Sequence, residues 1–269
     1  VAPRFGFPPG LTPGERASIV RSNSFETSER SEIMTLANAL PVLQETAVPE
    51  RVGELPASRV EEIRAFVSRE MAEVEALLKV RIAEGVSPAR ESAAHLSDSG
   101  GKRVRPLALL LSCACFGPLT ERARDLATAA EIVHMATLLH DDVIDDGDQR
   151  RGRPTSRRVW GNAVSVLAGD MLLVEALRLA SLAPDDRVTW TELVATLGRL
   201  VDGEIIQLRG RVAVNLEEST YFDIVRGKTA SLFEWSLRAG ARTGGAPEEA
   251  VDALGRFGAS IGVAFQLVE

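Results

Sequence analysis

Aromatic residues are scarce in this 269-residue chain: 3 Trp, 1 Tyr and 9 Phe, 5% of the total. With abundant Ala and Leu, that scarcity fits helix-on-helix packing. Cysteine is nearly absent, and the two present, Cys113-Ala-Cys115, are too few for a disulfide scaffold and wrongly spaced for a zinc or redox pair. They are expected to be small apolar residues of a helix. Long apolar runs are missing too. The longest uncharged stretch, Pro106–Thr120, falls short of the ~20 residues of a spanning helix, so no transmembrane segment is expected. No basic stretch followed by an apolar run marks a secretory signal, and a cytoplasmic protein is expected. There is no excess of positive charge: 31 Lys+Arg against 38 Asp+Glu leave a net −7, the wrong sign for a nucleic-acid binder.

The ends differ from the middle. Residues 1–55 carry six of the 13 prolines and little periodicity, which reads as a poorly ordered extension. Met34 is a candidate natural start. The last residues, Gln266-Leu267-Val268-Glu269, stop within an apolar pattern without Gly, Pro or a polar tail, as a cut chain would.

From residue 56 on, helical periodicity dominates. Val60, Ile63, Phe66 and Val67 share one face, as do Met71, Val74, Leu77 and Leu78. Further helices are expected at about 104–116, 121–146, 163–182, 187–209, 219–240 and 247–268. Breakers such as Gly117-Pro118, Gly152-Arg153-Pro154 and Gly244-Gly245 fall between them. The alternation that marks strands is essentially missing. The expected fold is all-α, a single-domain helical bundle over 56–269.

The chemistry concentrates between His134 and Arg158. A helix ends in His140-Asp141-Asp142-Val143-Ile144-Asp145-Asp146. Asp141 and Asp145 share a face, and Asp142 and Asp146 repeat the spacing one step round. Like charges at this spacing cost about 0.2–0.5 kcal/mol per pair. Carboxylates in a last turn also oppose the helix dipole. A solvated face would tolerate that strain; a divalent cation would reverse its sign, since clustered hard carboxylates suit Mg²⁺. His134 lies two turns earlier on the same face, and Leu138, Leu139, Val143 and Ile144 are expected on the opposite, apolar side. Arg150, Arg151, Arg153, Arg157 and Arg158 follow. An acidic rim beside a guanidinium rim suits a metal-bound diphosphate.

A second cationic cluster, Gly100-Gly101-Lys102-Arg103-Val104-Arg105-Pro106, precedes an apolar helix. It is either surface decoration or a second phosphate grip; it lacks the spacing of a nucleotide-binding P-loop. Arg226-Gly227-Lys228-Thr229 adds a further cation and a hydroxyl at a candidate kink.

Lys102-Arg103-Val104-Arg105-Pro106, the Asp141–Asp145 motif with Arg150-Arg151-Gly152, Gly203-Glu204 with Gln207, Lys228-Thr229 and Phe265-Gln266 occur in one order. In that order they resemble the trans-prenyl diphosphate synthases, of the long-chain type such as octaprenyl and heptaprenyl diphosphate synthases. The resemblance implies an isoprenoid-synthase bundle with a central active-site cavity, usually a homodimer, that adds isopentenyl diphosphate head-to-tail to an allylic diphosphate (geranyl, farnesyl or geranylgeranyl).

It also implies roles. Asp141, Asp142 and Asp145 would hold two or three Mg²⁺ (or Mn²⁺) ions, and Arg150, Lys228 and Gln266 would hold the allylic diphosphate. Lys102, Arg105, His134 and Arg151 would bind isopentenyl diphosphate. Lys228, Thr229 and Gln266 would sit over the reacting carbons as the catalytic group. Ala136 and Thr137, one turn below Asp141, would form the floor that limits the product; both are small, so a medium- or long-chain product is expected.

One departure stands out. The family's second aspartate-rich motif follows its Phe-Gln segment, and here only Leu267-Val268-Glu269 remain. The chain is expected to be truncated before that motif and weakly active by itself. Two other readings are a silent regulatory subunit and a class I terpene cyclase. Against the first stands the complete first motif; against the second, the upstream Lys-Arg-x-Arg grip.

Overall fold

In the computed structural model, residues 57–183, 186–212 and 217–268 are described. The extension expected at 1–55 lies outside them, as does Glu269. The order is α1 (Ala57–Ala83), α2 (Ala89–Ser97), α3 (Val104–Ala114), α4 (Glu121–Ile144), β1 (Gln149–Arg150), β2 (Arg153–Pro154), α5 (Ser156–Trp160), α6 (Asn162–Ser181), α7 (Arg187–Val212), α8 (Glu218–Val225), a π-helical turn (Arg226–Ala230), α9 (Ser231–Thr243) and α10 (Glu248–Val268). This is the expected all-α bundle.

The central helix, α4, starts where Thr120 accepts a hydrogen bond from the Ala123 amide at 3.3 Å. Its Leu126, Ile132, Val133 and Leu139 are wholly buried, each worth about 1.5–3 kcal/mol of burial. Between them lie Ala127, Ala129, Ala130 and Ala136, also fully buried. Facing them across α6 are Ala168, Leu172, Ala176 and Leu179. Short side chains let the two helices approach closely, which is how a chain with few aromatics closes its core.

Three local differences from the sequence reading bear on the site. First, α4 ends at Ile144, not at 146: Asp145 leaves helical geometry and Asp146 is left-handed, φ 51°. Second, a small hairpin appears where no strand was expected. Arg150 pairs with Arg153, so Arg151-Gly152 is a two-residue turn with positive φ at both positions, 52° and 74°. Such a turn needs φ > 0 twice, and only Gly152 takes it without strain. Third, the helix expected at 219–240 is broken by the π-turn. Gly203 of α7 lies against Gly227 there: a Cβ on Gly227 would stand 2.9 Å from the Arg199 carbonyl oxygen and from Gly203 Cα. The two backbones touch, and the wider turn accommodates the crossing.

Among the described residues, α10 is long and apolar enough to cross a membrane by length and composition. A search for uncharged runs misses it because Asp252 and Arg256 interrupt it. Its Gly255, Gly258 and Gly262 rest against Arg238, Phe233 and Ala230, so one face of it packs as a bundle helix on α9 and the π-turn.

Candidate active site

A cavity of about 730 Å³ opens between α3, α4, α8, the π-turn, the hairpin and the end of α10. The face of α4 toward it is a single stripe: Glu131, His134, Thr137, Leu138 and Asp141. Leu138 is thus on the polar side of the helix, next to His134 and Asp141, and not on the opposite apolar side. Thr137 lines the cavity. Ala136 does not: it is 0% exposed and belongs to the core. The expected two-residue floor is half present, because adjacent helical positions differ by about 100° in direction.

The four residues expected to hold isopentenyl diphosphate, Lys102, Arg105, His134 and Arg151, all line the cavity. The Lys102 ammonium sits 5.1 Å from the Phe265 ring centre, and the buried Arg105 guanidinium 4.8 Å from that of Phe233. Both distances suit cation–π contacts. Burial, reinforced by Arg105, Arg151, Arg150 and Arg103, pushes the His134 imidazole well below its usual range, so the ring is neutral at pH 7 while the cavity holds no anion.

On the acidic side, only Asp141 of the three expected metal ligands lines the cavity. Burial raises its carboxyl to about 6; Lys228 opposes the shift, and Glu204 and Asp145 reinforce it. Asp142 is turned into the protein, its side chain 5% exposed, and accepts hydrogen bonds from Arg150 Nε and Nη2 at 3.0 and 2.9 Å. It is a partner of Arg150, not a ligand facing the cavity; four residues of helix separate Asp141 from Asp145, but one residue turns the side chain to another face. Asp145 is exposed at the helix end.

The guanidinium rim is narrower than the sequence suggested. Arg150 and Arg151 line the cavity. Arg157 instead bonds Asp146 at 3.0 Å and Asp148 at 3.2 Å, and Arg158 approaches Asp148 at 3.5 Å. Those pairs, with Thr155 donating to the Gly147 carbonyl at 2.7 Å, brace the loop that carries Asp145 and Arg150.

Opposite α4, the π-turn presents Lys228 and Thr229. Lys228 forms an ion pair with Glu204 and donates to Gln207 at 3.1 Å. Thr229 Oγ1 donates to Gln266 Oε1 at 2.8 Å. Lys228, Thr229 and Gln266 therefore line the cavity together. Residues the sequence reading did not assign are Arg103 and Glu131, in the cavity's cationic corner, and Tyr221, Ile224 and Val225, an apolar wall from α8. Tyr221, Ile224/Val225 and Lys228 recur at helical spacing, a signal that could have found the wall.

Among the described residues no three His, Cys, Asp or Glu side chains close into a metal-binding group. The carboxylates that act on Asp141 are those of Glu204 and Asp145, and burial is the first cause of its raised pKa. All-oxygen donors of this kind fit a hard cation of the Mg²⁺ or Ca²⁺ class, which takes one or two protein carboxylates and completes its sphere with water and substrate phosphate.

Residues 87–269 match the polyprenyl synthetase family. The heptaprenyl diphosphate synthase component 2 of Geobacillus stearothermophilus is 38% identical over 206 residues, 76% of this chain and 64% of that protein. The decaprenyl diphosphate synthase structure from Rhodobacter capsulatus superposes with a TM-score of 0.74 at 37% identity, covering 77% of this chain and 64% of that one. A polyprenyl synthase from Caulobacter crescentus, complexed with calcium and isoprenyl diphosphate, gives 0.73 at 35% identity, with 77% and 63% covered. The match thus spans just under two thirds of these relatives' length.

Proposed function

This chain belongs to the polyprenyl synthetase family, and on that premise we propose that the protein condenses isopentenyl diphosphate with an allylic diphosphate: the allylic C–O bond breaks, the isopentenyl double bond attacks the allylic carbon and a proton is lost, giving inorganic diphosphate and a chain longer by one isoprene unit. One observation carries the reading: two sets of cations, Lys102/Arg105/Arg151 and Arg150/Lys228, line one cavity together with Asp141. Two phosphorylated substrates need two such sets, and a reaction between them needs both in one enclosure.

Bound Mg²⁺, held by Asp141 and Asp145, would neutralise charge on the allylic diphosphate as its C–O bond breaks. The protein's own groups do the rest. Arg150, oriented by Asp142, and Lys228, oriented by Glu204 and Gln207, grip the leaving diphosphate. Lys102, Arg105 and Arg151 hold the second diphosphate, and His134 gains a proton as that anion arrives. Leu138, Ile224 and Val225 keep water from the allylic cation. The Thr229 oxygen, fixed by Gln266, points its dipole toward the reacting carbons.

The same reading makes the protein a cytoplasmic homodimer whose product is medium or long, roughly C25 to C40, and whose primer is geranyl, farnesyl or geranylgeranyl diphosphate. The family match and the relatives favour neither the silent subunit nor the cyclase. The test is incubation of the full-length protein with Mg²⁺, labelled isopentenyl diphosphate and farnesyl diphosphate, with products sized by mass spectrometry. A ladder reaching five or more units is expected. A stop at C20 removes the long-chain assignment, and no condensation removes the activity.

A further inference from the structure

Arg103 belongs to the cationic run Lys102-Arg103-Val104-Arg105 and lines the cavity, yet its guanidinium is committed elsewhere. Its Nε donates to Glu75 Oε1 at 2.5 Å, Nη2 reaches Glu75 Oε2 at 3.4 Å, and Nη1 donates to Glu131 Oε1 at 2.6 Å. One cation thus meets two carboxylates, so it offers little net charge to an anion. Its side chain is 13% exposed and that of Glu131 only 4%. Glu131 sits on α4 between Ala130 and Ile132, both fully buried; a carboxylate there is tolerable only with its partner in place.

The backbone adds an independent observation. Arg103 is left-handed, φ 48° and ψ 34°, immediately before α3. Among the described residues, the non-glycine positions with positive φ are Arg103, Asp146 and Arg151, one in the cationic cluster at 100–106 and two in the loops after Asp141. Such conformations persist where surrounding contacts over-determine them. The turn at Arg103 sets how Lys102 on one side and Arg105 on the other enter the cavity. Gly101 leaves room beside it: a Cβ there would stand 3.2 Å from Arg103 Nη1 and 3.4 Å from Arg151 Nη1.

We infer that Arg103, clasped between Glu131 of α4 and Glu75 of α1, is a positioning residue that holds Lys102, Arg105 and Arg151 toward a single bound diphosphate. Glu75 lies before residue 87, where the family match begins, so α1 becomes part of the binding machinery although it lies outside the matched segment. The inference rests on the proposed diphosphate site and deepens it.

Charge and positioning predict opposite signs. Neutralising a carboxylate beside an anion site should tighten anion binding if only charge matters; if the carboxylates hold the clasp, binding weakens. Glu75→Gln, Glu131→Gln and Arg103→Lys are made in the full chain and titrated calorimetrically with inorganic diphosphate and with isopentenyl diphosphate. Amide exchange at 101–104 and the melting temperature are read alongside. Expected is about tenfold weaker diphosphate binding in each variant, with faster exchange across 101–104. In Glu75→Gln, whose carboxylate is partly exposed, the melting temperature stays near that of the parent. Arg103→Lys keeps the charge but loses the fork, and does not rescue. If Glu131→Gln fails to fold, Glu75→Gln carries the test alone. Unchanged or tighter binding in Glu75→Gln, native affinity in Arg103→Lys, or unchanged exchange overturns the inference. A parent chain that binds inorganic diphosphate but not isopentenyl diphosphate overturns the substrate assignment alone, because the clasp is decided by inorganic diphosphate affinity and exchange.

Discussion

Asp142 Oδ1 accepts both Nε and Nη2 of Arg150, at 3.0 and 2.9 Å. The acidic motif therefore splits by direction: Asp141 faces the cavity, while Asp142 fixes the arginine that stands beside it.

The two roles give opposite phenotypes. Asp142→Ala leaves Arg150 without its buried partner and should cost about 1–3 kcal/mol, or roughly 2–4 °C of melting temperature per kcal/mol, with or without Mg²⁺. Asp145→Asn, at an exposed helix end, should leave the melting temperature within a degree or so and weaken Mg²⁺-dependent diphosphate binding. Equal thermal losses in the two variants would falsify the division of labour.

His134 supplies a pH dependence whose sign follows from its surroundings. Burial and the nearby arginines depress its folded pKa, whereas the unfolded value is about 6.5. Below about pH 6.5 the unfolded chain binds a proton that the native site refuses, so this residue's contribution to stability falls as pH drops toward the folded pKa. Above that window it contributes no slope. His134→Gln should flatten the acid limb of a stability-against-pH curve. A bound diphosphate reverses the balance by placing negative charge beside the ring, so binding near pH 6.5 should take up protons. Calorimetry in buffers of different ionisation enthalpy measures that uptake; its persistence in His134→Gln would assign it to another group.

The Gly203–Gly227 crossing positions Lys228. A Cβ at Gly203 would stand 2.9 Å from the Lys228 amide nitrogen, a backbone atom with no rotamer to yield. Gly203→Ala should cost about 1–3 kcal/mol by overpacking and raise the KM for the allylic substrate by displacing Lys228. Gly198→Ala, on the same helix with nothing within 4 Å, should stabilise by up to about 1 kcal/mol with unchanged kinetics. Matching kinetic losses in the two would show that α7 responds as a whole and not through this crossing.

How much of this was legible follows from the range of each interaction. Helices were readable because an apolar repeat is local: the expected ends of α3, α4, α6 and α10 lie within about two residues of those found. Lys102, Arg105, His134, Asp141, Arg151 and Lys228 were singled out through their motifs, and all line the cavity. The pairing of Asp142 with Arg150 was not, because it depends on how the hairpin folds back eight residues later. Nor was the engagement of Arg103 by Glu75 and Glu131, each 28 residues away in opposite directions. The kink at 226–229 was legible as a candidate, but not its π-helical form, because Gly203, against which it packs, lies on another helix.

The position of Leu138 changes where product length should be controlled. It lies with Thr137 on the cavity face of α4, opposite the wall of Ile224 and Val225, whereas Ala136 is sealed in the core. A large side chain at Thr137 or Leu138 would enter the space an elongating chain needs. Thr137→Phe or Leu138→Phe should therefore shorten the longest product by at least one isoprene unit at nearly unchanged melting temperature. Ala136→Phe would instead press into helix α6 and should destabilise by about 1–3 kcal/mol or more, with product length a secondary effect. The three variants separate the two positions because one reading predicts a change in products and the other a change in stability. If Ala136→Phe folds normally and shortens the product while Leu138→Phe does not, the elongating chain passes below α4 on its core side, and the cavity wall at Leu138 is not the floor.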